Sequence, residues 1–185
     1  MKGNGKSASS NRRSLYFLAR FVALLVGFYL VVASNPVNDA VIVPFTSGVA
    51  RASAAILSAI GEKVSVAGTE IHSGAFAVNI ENGCNGVEAA LLFGSAILAF
   101  PAPWRRRALG LVLGFIAIQA LNLVRVVSLF WIGVHRPALF SSSHTVLWQS
   151  AVVLFSVLAF LFWASREQRT RAAESVREHG PPKGR

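Results

Sequence analysis

Residues 108–132 run without a charge except Arg125. At about 1.5 Å per residue, a helix over this stretch is long enough to cross a hydrocarbon layer of about 30 Å. Inside that layer a lone segment can pair all of its backbone N–H and C=O groups only as a helix, so the run commits the chain to a membrane architecture. Composition agrees: 54% of residues are hydrophobic and 14% charged, where a soluble domain carries nearer a quarter charged. The net charge of +10 could suggest nucleic acid. The basic residues instead gather beside apolar runs, as cytoplasmic membrane flanks do, and no nucleic-acid-binding motif is present. Nucleic acid is therefore not an expected partner; membrane lipid is.

Taken in order, residues 1–14 read as a polar, basic cytoplasmic tail. Residues 15–33 are apolar apart from Arg20, which is near enough to one end to snorkel to the headgroups. A cleaved signal peptide competes with a retained first span here; the long apolar part and the lack of a clear small-x-small site favour the span. Asn35-Pro36 ends it. Residues 40–60 carry Phe45, Val49, Ala52, Ile56 and Ile60 at helical spacing, which suggests an amphipathic helix on the membrane surface. A second crossing is the alternative, but it would export the basic C-terminal tail against the positive-inside rule. Residues 63–80 alternate like strands around a Gly68-Thr69 turn, a small extracytoplasmic β-hairpin.

Further spans are expected at 87–100, 108–132 and 145–164, with Gly110 and Gly114 as a small-xxx-small packing pair. Pro101 to Arg107 forms a basic corner between two of them, and residues 165–185 form a disordered cytoplasmic tail. The fold class is thus an all-α polytopic membrane protein. It is a four-helix transmembrane bundle of residues 15–164 with a periplasmic insert at 35–85, and both termini are cytoplasmic.

The only cysteine lies in Asn82-Gly83-Cys84-Asn85-Gly86, where turn-forming residues meet the start of an apolar helix. A lone cysteine is most often a small buried hydrophobe. This one sits at a helix N-terminus, where the dipole favours the thiolate. Arg125, 17 residues beyond Ala108, has risen roughly 26 Å and reaches the same outer level. His144 opens the last span from that side. Three helices therefore deliver a thiol, a guanidinium and an imidazole to one depth.

Each has a plainer role: Arg125 as an interfacial anchor, His144 as a helix cap. Against the first, Gln119, Asn122, Arg125 and Ser128 make a polar stripe that belongs inside a bundle. His72 and His135 are rivals for the base. Glu88, one turn after Cys84, is expected to form a structural ion pair with Arg125. Asn82, Asn85, Gly86, Glu88, Asn122 and Trp148 complete the expected supporting set. One Cys and a few scattered His give no zinc spacing, so neither metal nor cofactor is expected. The chemistry that suits the trio is acyl transfer, with Cys84 as nucleophile, His144 as general acid/base and Arg125 as oxyanion stabiliser.

The elements Asn82-Gly83-Cys84-Asn85-Gly86-Val87-Glu88, Leu121-Asn122-Leu123-Val124-Arg125-Val126 and His144, in that order, resemble the exosortase/archaeosortase family, in a compact form similar to exosortase H. The resemblance implies a cysteine protease and transpeptidase in the cytoplasmic membrane of a bacterium, with its active site at the periplasmic face. Its implied substrates are exported proteins with a C-terminal signal of motif, helix and basic end. The acyl group is passed to an amine acceptor of unknown identity. From the residues alone, two other classes stay open: a non-enzymatic scaffold using the hairpin, and a small transporter with Arg125 and Glu88 lining its path.

Overall fold

The computed structural model describes residues 4–74, 76–142 and 147–179. Helix α1 (Asn4–Val32) begins within the basic tail and continues through the first apolar run. It stops where Ser34 donates its hydroxyl back to the Val31 carbonyl, 2.6 Å away. Pro36 then falls in the first turn of α2 (Asn35–Val37), where its missing N–H costs nothing. A π-helical turn at Asn38–Ile42 leads into α3 (Val43–Ala59). The wide turn comes immediately before Pro44, whose ring would strike a carbonyl one turn back in a regular helix.

Helix α3 is present, but the side it buries differs from the one its apolar spacing predicts. Thr46, Ser47, Val49, Ala50, Ser53, Ala54 and Leu57 face inward, whereas Ile56 and Ile60 are exposed. In a membrane protein the apolar exterior costs nothing, and the inward face is free to carry small and polar side chains that contact the rest of the fold.

The extramembrane strands form a three-stranded antiparallel sheet rather than a simple hairpin, in the order β1 (Ser65–Ala67), β2 (Glu70–Ser73), β3 (Phe76–Asn79). Gly68 makes the first turn at φ +63°, a conformation that favours glycine. Val66 opposes Ile71, and Ile71 opposes Val78. Ile71 and Ile80 join Val49, Ala50, Ala54 and Leu57 of α3 and Val126 and Phe130 of α5 (Trp104–His135) in one buried cluster. The sheet and most of α3 therefore pack as a cap on the part of α5 from Leu123 onward, while Phe45 at the start of α3 meets Phe115.

A second cluster lies along the bundle. It joins Ala89, Phe93 and Ile97 of α4 (Val87–Ala99), Ile118 of α5 and Val152 of α7 (Gln149–His179). Helix α4 packs against α1, α5 and α7 and is the centre of the bundle. With 13 residues it rises only about 20 Å. Among the described residues, four helices are by length and composition able to cross a bilayer, Asn11–Val32, Asn35–Ala59, Trp104–His135 and Gln149–Arg177, with Val87–Ala99 a shorter apolar helix. A short helix α6 (Pro137–Ser142) follows α5.

Gly110 and Gly114 do not serve to bring two backbones together. Each is a seat for an aromatic ring: a Cβ on Gly110 would collide with Trp163 of α7, and one on Gly114 with Phe93 of α4. Beyond Ala164 the chain was expected to be disordered, yet it is helical to His179. Charge pairing explains this. Glu167, 4% exposed, accepts from Arg106 at 3.3 Å and from Arg171 at 2.8 Å. Arg106 also pairs with Glu174, and Arg171 donates to the Pro101 carbonyl. A carboxylate this buried must be paired, so the extension is fastened to the basic corner.

The seat at Gly114 gives a test with a definite sign. Alanine in a helix interior normally stabilises by about 0.5–1 kcal/mol over glycine, while overpacking costs about 1–3 kcal/mol. Gly114→Ala is therefore expected to lower the thermal midpoint of the purified protein in detergent, followed by circular dichroism. A raised midpoint would show that Phe93 is not held against this glycine.

Candidate active site

The loop before α4 is shaped by two glycines and one asparagine. Gly83 and Gly86 take φ of +89° and +79°, and among the described residues only glycines have positive φ. At Gly86 space matters as well as conformation, because a Cβ there would lie 2.9 Å from Gln119 Nε2 and 3.1 Å from Asn122 Cγ. Gly86 occupies the N-cap of α4 and has no side chain to cap with. Asn85 does this from one position earlier: its Oδ1 accepts from the Val87 N–H at 3.0 Å. Its Nδ2 donates to Thr46 Oγ1 at 3.0 Å and to Asn82 Oδ1 at 3.3 Å. Asn82 in turn donates to Asn38 Oδ1 at 3.2 Å, and Thr46 donates to the Ile42 carbonyl at 2.8 Å. Asn85 is fully buried and thus ties the loop to the start of α3.

Cys84 is half-buried within this loop, its N–H bonded to the Glu81 carbonyl at 2.9 Å. Arg125 reaches it from α5. One terminal nitrogen of the guanidinium donates to the Gly83 carbonyl at 3.1 Å. The other donates to Cys84 Sγ at 3.4 Å and to Gln149 Oε1 at 3.2 Å. Arg125 is 2% exposed, so the sequence expectation that it faces the interior holds. This buried cation has no ion pair among the described residues; its two terminal nitrogens meet a carbonyl, a sulfur and an amide, while Nε is buried without a partner.

The expected ion pair between Glu88 and Arg125 does not form; the guanidinium is already committed to the loop and to Gln149. Glu88 Oε2 is buried without a hydrogen-bond partner. The favoured thiolate is also corrected. Burial pushes the Cys84 thiol up from its ordinary value; Arg125 pulls it down, and Glu88 and Glu81 push it up further. Desolvation outweighs the pull of the guanidinium, so the thiol lies above its ordinary value.

Of the remaining expected residues, Asn122 is fully buried on α5 beneath Gly86, and its amide, like that of Gln119, lacks a partner. Ser128 donates to the Arg125 carbonyl at 3.0 Å. Trp148 is half-buried in the turn leading into α7. His144 lies outside the described residues. The rival histidines have their own partners: His72 Nε2 is 3.4 Å from Glu70, and His135 Nε2 is 3.6 Å from Glu62 while its ring stacks on Trp131. His135 is also ten residues beyond Arg125 on α5, about 15 Å along the axis. Two residues escaped sequence reasoning. Gln149 is a lone amide in an apolar span, and Thr46 is a hydroxyl in an apolar run; such isolated polar groups at membrane depth are the signal that could have found them.

Gly83, Arg125 and Gln149 form the head of a cavity of about 440 Å³. Its walls come from Val26 and Tyr29 on α1, Ala89 and Leu92 on α4, and Val152 and Val153 on α7, with Glu88 on one side. A guanidinium and a carboxylate thus border an apolar cleft, and the guanidinium reaches from it to the Cys84 sulfur at 3.4 Å.

The family model for transmembrane exosortases matches residues 9–164 of the sequence, which includes every element that builds this site. The chain belongs to the transmembrane exosortase family. It is a compact exosortase, resembling exosortase H, and a multi-pass membrane protein. Comparison with curated proteins gives no match, and neither does comparison with solved structures. Exosortases as a family are membrane transpeptidases or sorting proteases acting on exported proteins with C-terminal sorting signals.

The state of the sulfur can be checked directly. Alkylation of Cys84 by iodoacetamide in detergent should keep accelerating as pH rises past 9.0, the ordinary thiol value. A rate that levels off near neutrality would mean that the thiolate is already formed and that burial does not dominate.

Proposed function

We propose that this exosortase is a cysteine peptidase and transpeptidase. It cleaves the C-terminal sorting signal of exported proteins through a thioester on Cys84, with Arg125 as oxyanion stabiliser and His144 as general acid/base. The observation that carries the proposal is the contact of Arg125 with Cys84 Sγ. An oxygen on the carbon that bonds to this sulfur develops negative charge within reach of the same guanidinium. In a partly dry site that interaction is worth far more than in water.

Because burial keeps the thiol protonated, attack requires a base. His144 is the candidate from sequence. The base takes the thiol proton as sulfur attacks the peptide carbonyl and returns it to the leaving amine. Asn82, Asn85 and Gly86 hold the loop, and Asn122 backs it.

The proposed topology has both termini in the cytoplasm, spans at 15–33, 87–100, 108–132 and 145–164, residues 35–85 outside, and the site at the periplasmic face of the cytoplasmic membrane. Helix α3 is apolar enough to cross, and its first turn reaches Phe115 through Phe45, but most of its buried face packs with Leu123, Val126 and Phe130, which supports placing the rest of it in the outer cap.

Co-expression with tagged candidate substrates should give processing that Cys84→Ala abolishes, and a thioester on Cys84 that hydroxylamine releases. Processing by Cys84→Ala at the original rate would refute the enzyme. Arg125→Lys keeps the charge but loses the planar fork, and should slow processing by about 10²-fold or more. For topology, a membrane-impermeant maleimide should label Cys84 in spheroplasts without permeabilisation; labelling only after permeabilisation would invert the arrangement.

A further inference from the structure

Glu88 is a titratable group lining the cleft to which the proposed chemistry gives no task. It stands in the first turn of α4, lines the cleft whose head is Gly83, Arg125 and Gln149, and has a buried carboxylate oxygen with no donor. The obvious counterion, Arg125, is spent on Gly83, Cys84 and Gln149. Among the described residues Arg125 is also the only cation lining the cavity, and the other walls are largely apolar. A carboxylate oxygen without a donor in such surroundings is matched by an incoming cation. Arg125, which lines the same cleft as Glu88, reaches Cys84 Sγ at 3.4 Å. A carboxylate near a helix N-terminus also stabilises the helix dipole, by about 0.3–1 kcal/mol. That accounts for a solvated Glu, and leaves the unfilled cleft beside it unexplained.

We propose that Glu88 binds the acceptor: a primary amine enters the cleft as its ammonium ion, and the Glu88 carboxylate holds it beside the acylated Cys84. This rests on the thioester reading above and assigns the second half of the reaction. The ammonium gives one proton to Glu88. The free amine attacks the thioester carbon, so the C–N bond forms and the C–S bond breaks. The sulfur leaves as thiolate and takes the second nitrogen proton, and Glu88 later releases its proton to water. Amide and thiol are the products, with no oxidant or further reactant. Arg125 lines the same cleft and is itself positive, so Glu88 is the group there that attracts the ammonium. Water, being neutral, gains nothing from Glu88, so the residue sets the balance between transfer and hydrolysis.

The test uses the full-length protein in detergent with a tagged substrate. It scores thioester, hydrolysed product and amine adduct separately by mass spectrometry, with glycine amide as a soluble acceptor and phosphatidylethanolamine in the micelles as a lipid-borne one. In the wild type, adduct formation should saturate with the acceptor that fits. In Glu88→Gln the adduct-to-hydrolysis ratio should fall at least tenfold through a raised KM for the amine, and Glu88→Asp should recover part of it. Hydroxylamine, which is uncharged at neutral pH, should lose little in either variant. An unchanged ratio for glycine amide and for the lipid amine in Glu88→Gln would overturn the proposal, as would an equal loss for hydroxylamine. If the variants do not fold, the wild type decides: adduct formation that never saturates with either amine refutes the site. Absence of any thioester in the wild type would instead refute the parent reading.

Discussion

The guanidinium of Arg125 is the joint on which the site depends. It is buried, it lies on a membrane helix, and it has no carboxylate partner among the described residues. Leaving such a charge unsolvated is costly, so the fold surrounds it with dipoles: the Gly83 carbonyl, the Cys84 sulfur and the Gln149 amide. These come from the loop before α4 and from α7, so one side chain on α5 fixes the relative position of three elements. The need to satisfy a buried cation thereby places the thiol.

This joint sits between two different cores. Toward the bundle, Phe93, Ile97, Ile118 and Val152 pack with rings seated on glycines, an interface held by shape since lipid is as apolar as the side chains. Toward the cap, Leu57, Ile71, Ile80 and Phe130 pack a helix and a small sheet over the end of α5. The seam between them is polar: Thr46, Asn82, Asn85, Asn122 and Arg125. A seam of fixed hydrogen bonds beside an apolar cleft is a setting in which charge is both strongly felt and held in place.

The cysteine loop shows how local and tertiary demands meet. Asn85 caps α4 and clasps α3 at once, and Gly86 supplies the left-handed turn while leaving room for Gln119 and Asn122. Neither role is visible from turn chemistry alone. Conversely, the thiolate inferred from a helix N-terminus fails because that rule describes an accessible sulfur, and here desolvation is the larger effect.

Apolar run length and the spacing of basic residues determined by themselves that the chain is helical and membrane-embedded, because the bilayer leaves unpaired backbone no other solution. The turn at Asn82 to Gly86, the inward stripe through Asn122 and Arg125, and the meeting of Cys84 with Arg125 were legible for the same reason: polar groups at membrane depth must find one another. Tertiary structure decided which face of α3 is buried, that Gly110 and Gly114 seat aromatic rings, that Glu167 holds the tail helical, and that Gln149 rather than Glu88 partners Arg125. All of these turn on which neighbour fills a given space, and spacing along one chain carries no record of the side chain that arrives from another helix.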